Sequence, residues 1–128
     1  MRDEQAQRYA RHLSLPDVGG LGQTALLVAS ASVPLRELEP RAEIIAASYL
    51  AAGGVGTVIV PDASDAQRAD IAARGPDTRV LAEGEGRELA LAPRPAWWPA
   101  VDGDDVALAF WRGAHAATRW MWNVVQSR

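Results

Sequence analysis

Apolar residues recur at helical spacing in four segments of the chain. They span residues 3–13, 42–50, 69–72 and about 104–126. Ser64 or Asp65 can cap the third segment, because hydroxyl and carboxylate side chains accept hydrogen bonds from the first amides of a helix. Asp104 or Asp105 can cap the last in the same way. The pattern predicts four helices, the first within an N-terminal arm of about 1–22 and the last rich in tryptophan.

Short apolar runs between these helices predict four strands. They span residues 25–29, 57–60, 78–82 and 88–92. We interpret the glycines at 19, 20 and 22 as the break between the N-terminal arm and the first strand. Helices alternate with strands along most of the chain, which favours right-handed crossovers between parallel strands. The sequence thus predicts one α/β domain over residues 1–128, Rossmann-like, with a small, mostly parallel sheet of about four strands and flanking helices.

The composition excludes several types of functional site. The chain has 128 residues, enough for one core, and no cysteine, which excludes disulfides, thiolate metal sites and a cysteine nucleophile. All 13 basic residues are arginine, so neither Schiff-base chemistry nor a phosphate-loop lysine is available. The net charge is −3 and the arginines are scattered, which argues against a nucleic-acid partner. No apolar segment reaches the ~18 residues of a membrane span, and the N-terminus lacks a signal-peptide core, so we expect a soluble, cytoplasmic protein.

Two segments of the chain carry extended motifs. One reads RYARHLSLPDVGGLGQ, from Arg8 to Gln23, and the other reads SYLAAGGVGTVIVPD, from Ser48 to Asp62. They resemble, in order, the entry segment and the first nucleotide-fold helix, A-G-V-G turn and second strand of the ThiF/MoeB superfamily, the ubiquitin-activating-enzyme-like adenylyltransferases. A weaker likeness, ALAFWRGAHAATRWM, is similar to the C-terminal helix of that family. The resemblance implies a homodimer, or the inactive half of a heterodimer with a homologue.

The same resemblance assigns three candidate nucleotide contacts. Arg8 and Arg11 match the paired arginines of the family, one of which reaches the triphosphate held by the partner subunit. Asp62 matches the carboxylate that binds the ribose. The alternative for the arginines is a solvated helix face paired with Asp3 or Glu4. The alternative for Asp62 is a cap or turn at the end of a strand.

Departures from the family pattern point away from catalysis. Active members carry G-x-G-x-x-G after the first strand, because glycine lets backbone amides approach the phosphates. In this chain that place reads ASASVP, residues 29–34, and the lysine and later magnesium-binding Asp of the family have no counterpart. We interpret the chain as a non-catalytic pseudoenzyme without a cofactor, partnered with an active homologue or a pathway enzyme. The alternative is a small protein that holds ATP or another adenine nucleotide through Asp62 with Arg8 or Arg11.

Other polar residues give weaker signals. The DGDD run at 102–105 offers oxygen ligands to a hard cation, but capping of the last helix accounts for it. His12 and His115 have no Ser or carboxylate at a spacing typical of a catalytic triad. The sequence therefore predicts neither a metal site nor a catalytic residue.

The C-terminal helix is apolar on two sides. One stripe, which runs from Phe110 to Val124, is expected to cover the sheet. The other stripe has two tryptophans, and two more precede the helix, where a domain of this size has little left to cover them. Tryptophan is enriched at the centres of protein interfaces. We therefore predict a dimer whose interface contains Trp97, Trp98, Trp111, Trp122 and Val125.

Overall fold

The computed structural model describes residues 19–98 and 105–127, which form four helices and four strands. The helices are α1 (Gly19–Leu27), α2 (Arg41–Ala52), α3 (Asp65–Ala72) and α4 (Asp105–Gln126). The strands are β1 (Ser30–Ser32), β2 (Thr57–Ile59), β3 (Arg79–Leu81) and β4 (Arg87–Glu88). Helices and strands alternate as far as β3, and β4 follows β3 without an intervening helix.

The four strands form one parallel sheet in the order β3-β2-β1-β4. The chain moves outwards from β1 through β2 to β3, and then returns across the sheet to place β4 on the other side of β1. This arrangement confirms the predicted α/β class with a small parallel sheet of four strands. Because the strand order reverses beside β1, the carboxyl ends of β1 and β4 border the point at which open α/β sheets bind ligands.

One face of the sheet carries the main hydrophobic core. Ala31 of β1 and Val58 of β2 are paired in the sheet, and both are fully buried. All four described helices contribute side chains to the same core, so they form one layer on this face. Their contributions include Leu26 of α1, Leu50 of α2, Ile71 of α3, and Trp120 and Val125 of α4.

The opposite face of the sheet carries smaller and more polar side chains. Ser30 and Thr57 are paired there and half-buried, whereas Ile59 is buried but stands outside the main core. The connection from β3 to β4 passes over this face, since a Cβ atom on Gly84 would lie 3.2 Å from Cδ1 of Ile59. Gly84 has a φ of +143°, a conformation that residues with side chains rarely adopt, so this crossing requires glycine.

The predicted boundaries near the N-terminus are wrong. Residues 25–29, predicted as the first strand, form the end of α1 and the turn after it, and the glycines at 19, 20 and 22 lie within α1. A run of five apolar residues fits both a helix and a buried strand. The side-chain amide of Gln23 anchors α1 by donating a buried hydrogen bond of 3.0 Å to the carbonyl of Gly53. The predicted helix over 3–13 lies outside the described residues.

The fourth strand is shorter than the predicted range of 88–92, because only two residues pair with β1. Helix α4 binds carbonyl groups of this extended segment instead. Nε1 of Trp120 donates to the carbonyl of Arg87 over 3.0 Å, and Nε of Arg112 donates to the carbonyl of Ala92 over 2.8 Å. These bonds satisfy backbone acceptors at the edge of the sheet, so α4 covers an edge that another strand could otherwise extend.

The remaining predicted elements are confirmed. Helix α2 and strand β2 lie where the pattern placed them, and α3 begins at a capping box. In that box the hydroxyl of Ser64 accepts from the amide of Gln67 over 3.1 Å, and the Gln67 side chain accepts from the amide of Ser64 over 2.8 Å. Helix α4 ends at Gln126 as predicted. None of the described helices combines the length and the apolar character that crossing a bilayer requires.

Candidate functional site

A cleft of about 280 Å³ opens at the carboxyl edge of the sheet, between β1 and β4. It is formed by the residues that follow each of these strands, by the first turn of α2 and by one arginine of α4. Its lining includes Val33, Glu37, Glu43, Leu89 and Arg112. Open α/β sheets hold their ligands at this place, so the cleft is the candidate ligand site.

The loop that borders this cleft lies further along the chain than the resemblance suggested. The segment 29–34, predicted as the phosphate loop, contains β1 itself. The loop that leads from β1 into α2 spans residues 33–40 and reads VPLRELEP, again without glycine and with two prolines. Proline has no amide hydrogen, so this loop offers fewer donors to a phosphate than a glycine-rich loop does.

Three consecutive backbone amides of this loop donate to carboxylates of the chain itself. The amide of Leu35 donates to Oδ2 of Asp62 over 3.2 Å. The amides of Arg36 and Glu37 donate to the two carboxylate oxygens of Glu43, over 2.6 and 3.3 Å. Glu43 lies in the first turn of α2 and is only 3% exposed. The loop is therefore held against α2 and against the end of β2.

Glu43 occupies an electrostatically favourable position. The first amides of a helix have no helical acceptor, so a helix N-terminus attracts negative charge. Nucleotide-binding folds place a phosphate at such a position and hold it with loop amides. Here the Glu43 carboxylate supplies the negative charge. It is also the acceptor for the loop amides of Arg36 and Glu37. Glu43 was not among the predicted site residues. The available signal was an acidic residue three positions after Pro40, in the first turn of a predicted helix.

The arginines that border the cleft are engaged in ion pairs. Nη1 of Arg112 lies 3.1 Å from Oε2 of Glu37, and Arg36 pairs with Glu88 across the mouth of the cleft. The Arg112 side chain is only 19% exposed, and its Nε also binds a backbone carbonyl. Positive charge at this edge is thus directed at carboxylates of the same chain.

The predicted nucleotide contacts are only partly described. Asp62 lies at the carboxyl end of β2, as expected, and its carboxylate accepts a loop amide. Arg8 and Arg11 lie outside the described residues, as do His12 and residues 102–104 of the DGDD run. Within the described ranges, no group of three or more His, Asp or Glu side chains could hold a metal ion.

The tryptophans of the predicted interface lie in different environments. Trp97, Trp98 and Trp111 pack on one another, with ring centroids 5.8 to 6.2 Å apart. His115 stacks on Trp111, with the ring centroids 4.8 Å apart. Trp122 is 44% exposed and Trp97 is 69% exposed. Three of the four tryptophans therefore cover part of each other's apolar surface.

Two residues of α4 differ from the prediction in their burial. Val125, assigned to the interface, is 2% exposed and belongs to the core of the chain itself. Phe110, assigned to the side that covers the sheet, is 51% exposed. The stripe that contains Phe110 does face α2, because a Cβ atom on Gly113, one turn further along it, would lie 2.5 Å from the carbonyl oxygen of Ala42. Phe110 contacts Tyr49 of α2 but remains half exposed.

The outer side of the helical layer carries an apolar groove between α2, α3 and α4, which we call the helical groove. Its larger part has a volume of about 640 Å³ and a second part, continuous with it, about 320 Å³. The rings of Tyr49 and Phe110 meet edge to face in it, with centroids 5.8 Å apart. This surface was not predicted, because Phe110 was expected to lie on the side of α4 that covers the sheet. The main lining residues are Ile44, Ile45, Tyr49, Asp70, Arg74 and Phe110.

The chain matches no protein-family model and no curated protein. Its relation to the ThiF/MoeB superfamily therefore stays a prediction, carried by the motifs of residues 8–23 and 48–62.

Proposed function

We propose that this chain is a non-catalytic, ThiF-like α/β domain that binds another protein instead of a nucleotide, as a homodimer or beside a homologue. The observation that carries the proposal is the use of three consecutive loop amides by Asp62 and Glu43. The phosphates of a nucleotide would need the same donors. In this chain those donors stabilise the loop.

A phosphate that entered the cleft would meet carboxylates. Displacing Glu43 would break two hydrogen bonds to a charged acceptor, each of which contributes about 1.5–3 kcal/mol. Leaving Glu43 in place would bring two negative groups together, which is unfavourable in a partly dehydrated site. Recruiting Arg112 would require breaking its ion pair with Glu37. These costs disfavour nucleotide binding.

The second candidate function is adenine-nucleotide binding through Asp62. One observation favours it: Asp62 is exposed at the carboxyl end of β2, where the ribose of a nucleotide would lie. In this alternative the ATP phosphates would be held by Arg8 or Arg11.

Calorimetric titration with magnesium and ATP separates the two functions. We expect no saturable binding below about 1 mM, which corresponds to ~4 kcal/mol of binding free energy. The variant Asp62→Ala should give the same titration curve as the wild-type protein. A micromolar site in the wild-type protein that Asp62→Ala removes would contradict the proposal and support the alternative.

A further inference from the structure

We propose that the helical groove binds a second copy of this chain about a two-fold axis. This inference rests on the proposed protein-binding function and names the surface that carries it. Its predicted occupant follows from three features of the groove, which are its exposed apolar rings, its unpaired charges and its size.

The apolar side chains of the groove are poorly covered by the part of the chain that the structure describes. Tyr49, Phe110 and Val106 are 37%, 51% and 65% exposed, and Ile44 and Ile45 are half-buried beside them. Aromatic residues grouped in this way are typical of the centres of interfaces, where they lose their contact with water. The groove therefore combines projecting rings with a concave apolar space that can receive the same rings from another copy.

The charges at the rim of the groove are complementary to each other. Asp70 lies in the last turn of α3 and Arg74 lies four residues later, and both side chains are exposed. Within the part of the chain that the structure describes, neither of them forms an ion pair. A two-fold axis brings residue i of one copy to residue j of the other and j to i. Asp70 of each copy can therefore pair with Arg74 of the other, which satisfies both charges twice.

The size of the groove sets the expected strength of association. Thirteen residues line its two parts, whereas a standard stable interface uses about 20–30 residues on each side. A two-fold contact of this size is small, so we expect a weak dimer that dissociates into monomers on dilution.

Another side of α4 carries Trp111 and Trp122, which with Trp97 and Trp98 we call the tryptophan surface, and it is a weaker candidate for the same contact. Trp98 and Trp111 cover part of each other, and His115 covers one face of Trp111. The exposed Trp122 stands apart from the helical groove and provides a matched control, since it is 44% exposed on the same helix as Phe110.

Sedimentation velocity from about 5 to 500 µM tests the proposal. We expect the sedimentation coefficient of the wild-type protein to rise with concentration, Phe110→Glu to stay monomeric, and Trp122→Glu to associate like the wild type. A wild-type protein that stays monomeric throughout the range would overturn the proposal. So would dissociation by Trp122→Glu with association intact in Phe110→Glu, because that result would place the interface on the tryptophan surface.

Charge reversal gives a second test that does not depend on removing apolar surface. Asp70→Arg and Arg74→Asp each place like charges across the two-fold axis and should weaken association about tenfold. The double variant Asp70→Arg/Arg74→Asp restores opposite charges and should associate within about threefold of the wild type. A double variant that associates as weakly as the single variants would contradict the pairing of Asp70 with Arg74. Circular dichroism confirms that each variant is folded, and the ATP titration independently tests the proposed function.

Discussion

The carboxyl edge of the sheet and the helical groove differ in how many of their polar and apolar groups have a partner within the described chain. At the sheet edge, loop amides, carboxylates and arginines bind one another, and Glu43 is buried among them. In the helical groove, aromatic rings are exposed, and Asp70 and Arg74 form no ion pair within the described residues. The polar groups at the place where open α/β sheets bind small ligands bind one another, whereas the described residues leave the rings and charges of the helical groove partly uncovered.

This difference separates the roles of fold and site. The parallel sheet and its strand reversal create a ligand position whether or not a ligand is used there. The side chains then decide its use, and here the carboxylate of Glu43 accepts hydrogen bonds from two amides of the bordering loop. Substitutions in the two regions should therefore change different quantities. Those at the sheet edge should lower the free energy of unfolding, and those in the groove should change association.

Removing the Glu43 carboxylate should have the largest effect on stability. Glu43→Ala leaves two loop amides without their acceptor in a buried site and should lower the free energy of unfolding by about 2–3 kcal/mol. Glu43→Gln keeps one acceptor oxygen and should cost about half as much. Urea denaturation followed by circular dichroism measures both.

Glu39→Ala is the control, since Glu39 is exposed and its ion pair with Arg41 is 3.9 Å long. This variant should change the free energy of unfolding by less than about 0.5 kcal/mol. Equal effects of Glu43→Ala and Glu39→Ala would remove the distinction between the regions.

A methyl group added beneath the helical groove should have the next largest effect. Gly113→Ala gains about 1 kcal/mol of helix propensity, but its Cβ would lie 2.5 Å from the Ala42 carbonyl oxygen and 2.8 Å from Cγ2 of Ile45. Overpacking costs about 1–3 kcal/mol, so we expect a net loss of about 0–2 kcal/mol of unfolding free energy. The reverse change at an exposed position of the same helix, Ala107→Gly, should lose only the ~1 kcal/mol of propensity. A stabilising effect of Gly113→Ala in thermal unfolding would show that the two helices are not in close contact.

Two aspartates give the smallest and most discriminating comparison. Asp62→Ala removes one exposed hydrogen bond to the amide of Leu35 and should lower the free energy of unfolding by about 0.5–1 kcal/mol without changing association. Asp70→Ala removes a carboxylate that has no ion pair within the described residues, so it should leave the unfolding free energy unchanged and weaken association. Urea denaturation measures the free energy of unfolding of both variants, and sedimentation velocity measures their association. Similar behaviour of the two variants would contradict the division between a closed edge and an open groove.

Local signals were sufficient for most helices. Residues 64 and 67 form a capping box that is visible in the sequence, and the small and apolar residues of α2 end before two glycines, so both helices could be placed from local pattern. The apolar run at 25–29 could not be assigned in this way, because its length suits a strand and the end of a helix. Its conformation depends on contacts distant in sequence, such as the hydrogen bond from Gln23 to Gly53.

The candidate site was harder to predict because it depends on how elements meet. The sequence places an acid in the first turn of α2, but nothing local shows that the preceding loop turns back to bind it. The burial of single residues of α4 was hard to predict for the same reason. Periodicity places Phe110 and Gly113 on one stripe, and Gly113 does pack against Ala42 of α2. Phe110 is nevertheless 51% exposed and Val125 of the other stripe is buried, which the spacing within one helix does not determine.

Under the proposed function, the buried carboxylate of Glu43 makes the stability of this chain independent of the concentration of nucleotides. A protein whose loop is ordered by a bound nucleotide gains stability with ligand concentration, by about 2.7 kcal/mol when the ligand is at one hundred times its dissociation constant, and loses it when the ligand is depleted. Here the anion is part of the polypeptide, so its local concentration is fixed by the fold. Under the proposed function, the order of the loop from residue 33 to residue 40 should depend on folding alone and should be the same in a nucleotide-rich and a nucleotide-poor environment.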